Sequence, residues 1–120
     1  MEIKLINIDG VTICEVSANG TVVNNLNDAL DLIGNVSYQG SRKLVVRTEH
    51  LAIEFFDLKT KLAGEILQKF SNYDMQLAIV GENSHFNSTA LKSFIVECNR
   101  GNRILFEESR EVALEALAKC

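Results

Sequence analysis

Three short runs of uninterrupted apolar residues constrain this chain more than any other feature: Leu44-Val45-Val46, Leu77-Ala78-Ile79-Val80 and Ile104-Leu105-Phe106. A strand with one wet face alternates apolar and polar residues, so a run without alternation predicts a strand covered on both faces, as in a parallel sheet. Helical patterns separate and follow these runs. Leu62, Ala63, Ile66, Leu67 and Phe70 form one apolar stripe, and Leu91, Phe94, Ile95 and Cys98 a second. Val112, Ala113, Ala116 and Leu117 form a third, with Ser109 placed to cap it. Strand and helix in strict alternation imply right-handed crossovers between neighbouring parallel strands.

The N-terminal part has a different rhythm. Two β-rich runs, residues 3–8 and 11–16, flank Asp9-Gly10, and an Asp-Gly pair between such runs predicts a type I′ hairpin. A second turn at Ala18-Asn19-Gly20 leads to a short extended piece over residues 21–23. Leu26, Ala29, Leu30 and Ile33 then make one stripe of a helix, expected to close at Gly34-Asn35. The expected fold is therefore α/β, one domain over residues 1–120. It has a mixed, mostly parallel sheet of about five strands, an N-terminal antiparallel hairpin and about four helices.

Composition narrows the function classes. The chain has 120 residues, 47% apolar and 23% charged, with a net charge of −4. A nucleic-acid binder normally carries a basic excess, so that partner class is not expected. No apolar run approaches the roughly 20 residues of a membrane helix, and no basic stretch leads into an apolar one at the start of the sequence. Cys14, Cys98 and Cys120 contain no CxxC pair, which disfavours a disulfide framework or a zinc site. A reduced, cytoplasmic protein is the expectation.

Open α/β sheets bind ligands beyond the carboxyl ends of their strands. Three loops are expected there: Thr48-Glu49-His50, Gly81-Glu82-Asn83-Ser84-His85 and Glu107-Glu108-Ser109, with Asp57-Leu58-Lys59-Thr60-Lys61 at the start of the long helix. Both histidines of the chain fall in this set and read as exposed loop residues. No HxxxH, HExxH or HxH spacing supports a metal, and no metal or cofactor is expected. The loop starting at Gly81 has neither of the glycine patterns that cradle phosphate, and capping by Asn87 or Ser88 accounts for it. Cys98 sits on an apolar stripe near a helix C-terminus, which opposes a thiolate. No nucleophile elbow or triad is present. Arg100 and Arg103 complement the negative end of the helix dipole, which is reason enough for them.

The string Ile53-Glu54-Phe55-Phe56-Asp57-Leu58-Lys59-Thr60-Lys61-Leu62-Ala63-Gly64-Glu65-Ile66-Leu67-Gln68-Lys69-Phe70 is distinctive. So are Asn72-Tyr73, Leu77-Ala78-Ile79-Val80-Gly81, Phe94-Ile95-Val96-Glu97, Asn99-Arg100-Gly101 and Asp28-Ala29-Leu30-Asp31-Leu32-Ile33. Together they resemble the bacterial family known as domain of unknown function 4180, over nearly the whole chain. That resemblance implies a small bacterial cytoplasmic protein and supplies no activity. More distantly, the element order is similar to the STAS domain of anti-sigma-factor antagonists, in which an Asp-Ser-Ser-Gly turn carries a phosphorylated serine. The matching place here reads Phe56-Asp57-Leu58-Lys59-Thr60, without either serine. That resemblance implies a phosphoacceptor only if Thr60 takes the role; as a plain residue Thr60 is a polar side chain in a first helical turn.

The expectation for function is a non-enzymatic module acting through protein–protein interaction, with another protein or by self-association as a homodimer. Its expected binding rim comprises Glu49, His50, Phe55, Phe56, Asp57, Lys59, Thr60, Glu82 and His85. A phenylalanine exposed there would serve as an anchor. The alternatives are a small enzyme or ligand-binding domain using Glu49, His50, Asp57, Glu82 and His85 around one pocket, and a phospho-switch at Thr60. The pocket alternative requires those side chains to converge.

Overall fold

A computed structural model of the chain describes residues 1–82, 88–101 and 103–119. Five strands form one sheet in the order of the sequence: β1 (Glu2–Ile8), β2 (Val11–Ser17), β3 (Lys43–Arg47), β4 (Gln76–Val80) and β5 (Ile104–Glu107). β1 and β2 pair antiparallel, and β2 through β5 run parallel. Four α-helices accompany them: α1 (Leu26–Tyr38), α2 (Leu62–Asn72), α3 (Thr89–Arg100) and α4 (Arg110–Lys119). The mixed, mostly parallel sheet and its N-terminal hairpin match the pattern of apolar runs. Asp9 and Gly10 have φ of 52° and 85°, the two positive values that a type I′ turn requires, and Ile8 pairs with Val11 across it.

Each strand sends alternate residues to opposite faces, and each face has its own core. On the front, Cys14, Val16, Leu44, Val46, Leu77, Ile79, Ile104 and Phe106 meet α1 and α2, with Phe94, Ile95 and Cys98 of α3 packed alongside. On the back, Ile13, Val45, Ala78, Val80 and Leu105 meet Ala113, Leu114 and Leu117 of α4. Three successive crossovers along one sheet direction put three helices on the same face, leaving the other to α4. Full burial of a Val, Leu or Ile side chain contributes roughly 1.5–3 kcal/mol, so both faces of every parallel strand stabilise the fold.

Three local expectations are corrected. α1 does not close at Gly34-Asn35 but runs to Tyr38, with Gly40 at φ 80° beyond its end. Val36, three residues past Ile33, is fully buried and outweighs the roughly 1 kcal/mol helix penalty of Gly34. The α4 stripe is Ala113, Leu114 and Leu117, while Val112 remains 49% exposed. Finally, the chain between β3 and α2 is neither open loop nor early helix. It folds into three successive 3₁₀ turns, Thr48–His50, Ile53–Phe56 and Leu58–Thr60. Residues 21–23 contribute only an isolated bridge, Val23 to Leu51.

Candidate functional site

The parallel strands bring the ends of β3, β4 and β5 to one rim, and β2, parallel to β3, adds its own end there. His50 organises this rim from inside. It is 2% exposed, so the expectation of an exposed loop histidine is corrected. The backbone N–H of Arg47 donates to its Nδ1 at 3.1 Å. That leaves the ring proton on Nε2, which lies 3.2 Å from the carbonyl oxygen of Ala18 and donates to it. The carbonyl of His50 accepts from the N–H groups of Val22 and Val23 at 2.8 and 2.9 Å. One imidazole thus ties the exit of β3 to the segment after β2, with both ring nitrogens engaged by backbone groups.

Beside His50 lies a polar cavity of about 140 Å³ lined by Lys4, Glu15, Arg47, Glu49 and residues 16–18. Glu15 is its central charge. A carboxylate in the buried strand Ile13-Cys14-Glu15-Val16 needs a partner, since desolvating an unpaired charge is strongly unfavourable. The partner is Arg110 at the start of α4, which donates from Nε to Oε2 at 2.6 Å and from Nη2 to Oε1 at 3.1 Å. This two-pronged bond holds the Glu15 carboxyl below the ordinary glutamate range, against the opposing effect of burial, and the charges of Arg47 and Lys4 add to it. Sequence reasoning missed Glu15 and Arg110. The signal was present: a lone acid inside an apolar strand demands a base elsewhere in the fold.

The remaining predicted residues are distributed as follows. Glu49 is exposed and lines the cavity with His50. Phe55 is 1% exposed and Phe56 half-buried, their rings edge-to-face at 5.1 Å, so neither meets the condition for an exposed anchor. The exposed apolar side chain is instead Ile53, at 81%. Asp57 accepts from the N–H of Lys59 at 3.1 Å, and Lys59 points to solvent. The Thr60 hydroxyl lies 2.7 and 2.8 Å from the carbonyls of Glu54 and Asp57, which can share its proton. It also accepts from the N–H of Leu62. These bonds knit the second and third 3₁₀ turns to the start of α2. Glu82 is exposed and outside the lining of the cavity; His85 lies outside the described residues.

The cavity therefore joins Glu49 and His50, while Asp57 and Glu82 stand apart from it. Among the described residues no group of three or more His, Cys, Asp or Glu is placed to hold a metal ion. Burial pushes the Cys98 thiol up to about 11, helped by the Glu97 charge, and burial also raises Cys14; both oppose a nucleophilic thiolate. The rim is closed tightly between β3 and β4. A Cβ on Gly81 would stand 2.4 Å from Thr48 Oγ1, so only glycine fits there. No helix among the described residues is long and apolar enough to cross a membrane.

Neither a curated protein nor a solved structure matches the chain. One family model does, over residues 8–117, which takes in all four parallel strands, α1, α2, α3, most of α4 and the rim. On that match, the chain belongs to the family described as Domain of unknown function (DUF4180).

Proposed function

We propose that this chain is a non-enzymatic module of the bacterial cytoplasm that works by protein–protein contact at the carboxyl rim of its sheet. The observation that carries the reading is Ile53, a large apolar side chain 81% exposed within a segment otherwise pinned on every side. Phe55 anchors that segment in the core, Thr60 and Asp57 close its turns, and Ala52 donates to the carbonyl of Val23 at 2.9 Å. An apolar anchor already held in place loses little conformational freedom on binding, which favours affinity. Glu54, Asp57 and Lys59, all exposed in the same segment, supply charge of both signs, as the polar rim of an interface requires.

The cavity beside His50 supports an enzyme less well. At about 140 Å³ it has room for a few waters, and its histidine and its buried carboxylate are both engaged in the fold. The test is affinity capture from the native host with the wild-type chain and Ile53→Asp in parallel. The expected result is a partner enriched by the wild type and lost by the variant, with urea unfolding free energies agreeing within about 0.5 kcal/mol. A partner retained by Ile53→Asp overturns the reading.

A further inference from the structure

The two edges of the sheet are unlike, and the difference identifies a binding surface away from the rim. At the β5 edge the strand is four residues long and Phe106, facing outward, has its backbone occupied: the Asn99 side chain accepts from its N–H at 2.7 Å and donates to its carbonyl at 3.3 Å. At the β1 edge seven residues run without a neighbour. Ile8 and Val11 flank a two-residue turn and so form a hydrogen-bonded pair. Alternation then turns the N–H and C=O of Ile6, Lys4 and Glu2 toward β2, and those of Asn7, Leu5 and Ile3 outward. Leu5 is 53% exposed on the front face, and Met1, before the start of the strand, 62%.

We propose that the outer edge of β1 pairs antiparallel with the same edge of a second copy of this chain, about a twofold axis through Ile3. A twofold axis perpendicular to the sheet keeps front with front, so it must pass through one residue of each strand. An axis at Lys4 sets Lys4 against the partner's Lys4. An axis at Leu5 sets Lys4 against the partner's Ile6 and Ile3 against the partner's Asn7. An axis at Ile3 matches both faces. On the front, Ile3 meets the partner's Ile3 and Leu5 meets the partner's Met1. On the back, Glu2 meets the partner's Lys4 twice over. Each Lys4 then stands between the Glu2 across the new seam and the Glu15 opposite it within its own hairpin. The outward groups of Ile3 gain the partners they lack, and the two sheets become one. This surface does not involve Ile53, so its fate and that of the rim reading are independent.

The seam is short and sits at the weak end of stable interfaces, so association depends on concentration. Sedimentation equilibrium of the purified full chain, over about a hundred-fold range of concentration, reads it directly. The expected mass rises from 13.3 kDa toward twice that value. Glu2→Lys alone and Lys4→Glu alone each place like charges across the seam twice and weaken association about tenfold. An equimolar mixture of the two variants restores it, because every pair across the seam is then opposite in sign. Leu5→Pro removes an outward N–H and no bond of the hairpin, and stays monomeric. A wild type that is monomeric throughout overturns the proposal. So does a dimer that survives Leu5→Pro, or one indifferent to the charge variants, since either forms elsewhere or in another register.

Discussion

The β5 half and the β1 half of this sheet solve the same problem in opposite ways. β5 is covered on the front by α3 and on the back by α4, and Asn99 occupies the outward backbone of Phe106. β1 has α4 grazing its back face, and its front residue Leu5 is left half in water. A strand edge left bare is a template for another strand, and proteins blunt such edges by shortening or covering them. Here one edge is both short and covered, and the other is neither. The covered half should therefore respond to substitution through stability, and the bare half through association.

The largest effect is expected where the covered half is tightest. Gly81→Ala drives a Cβ to 2.4 Å from Thr48 Oγ1 and 2.8 Å from Thr48 Cγ2 at a φ of 154°, with the Gly81 N–H bound to Glu107. A loss of about 3 kcal/mol is expected in urea unfolding, and Thr48→Ala should recover part of it in a double-mutant cycle. Equal loss with and without Thr48→Ala would show that the contact is not the cause. Next, Asn99→Ala leaves the N–H and C=O of Phe106 without partners at a part-buried site and should lose about 2 kcal/mol. Leu5→Ser at the open edge should stay within about 0.5 kcal/mol at concentrations where the chain is monomeric. Similar losses at both edges would erase the contrast drawn here.

A smaller effect than those of Gly81→Ala and Asn99→Ala is expected at the Glu15–Arg110 pair, which ties α4 to β2 beside the open edge. The Glu15 carboxyl titrates lower in the fold than in the unfolded chain. Its contribution is thus fully present above the ordinary glutamate range and is lost as pH falls through the lowered folded value. With the guanidinium about a third exposed, that contribution is discounted to about 1 kcal/mol. Glu15→Gln should reduce stability at neutral pH and flatten its decline below about pH 4.5. An acid limb of unchanged steepness in Glu15→Gln would assign the decline to other carboxylates.

The parallel run of strands and their shared rim were legible because apolar runs such as Leu77-Ala78-Ile79-Val80 admit few environments. The Asp9-Gly10 turn was equally plain, since few residue pairs tolerate two positive φ values. What escaped was set by contacts between distant residues. His50 looks like any loop histidine until Ala18, which hydrogen-bonds it, is brought close by the parallel pairing of β2 and β3. Which of Ile53, Phe55 and Phe56 faces water depends on the phase of a 3₁₀ turn, and a four-residue turn is too short to reveal its phase in sequence. Asn99 gave no signal at all: its role exists only because α3 ends beside the edge of β5.

The lone helix on the back of the sheet has a bearing on how the molecule is made. α1, α2 and α3 each follow the strand before them, so the front layer can assemble as the polypeptide emerges from the ribosome. The back layer has no occupant until residues 110–119 are synthesised. Until then Ile13, Val45 and Ala78, joined late by Leu105, lack the helix that covers them in the finished fold. The docking of α4, latched by Arg110 onto Glu15, is then the step that turns a nascent half-sandwich into a finished one.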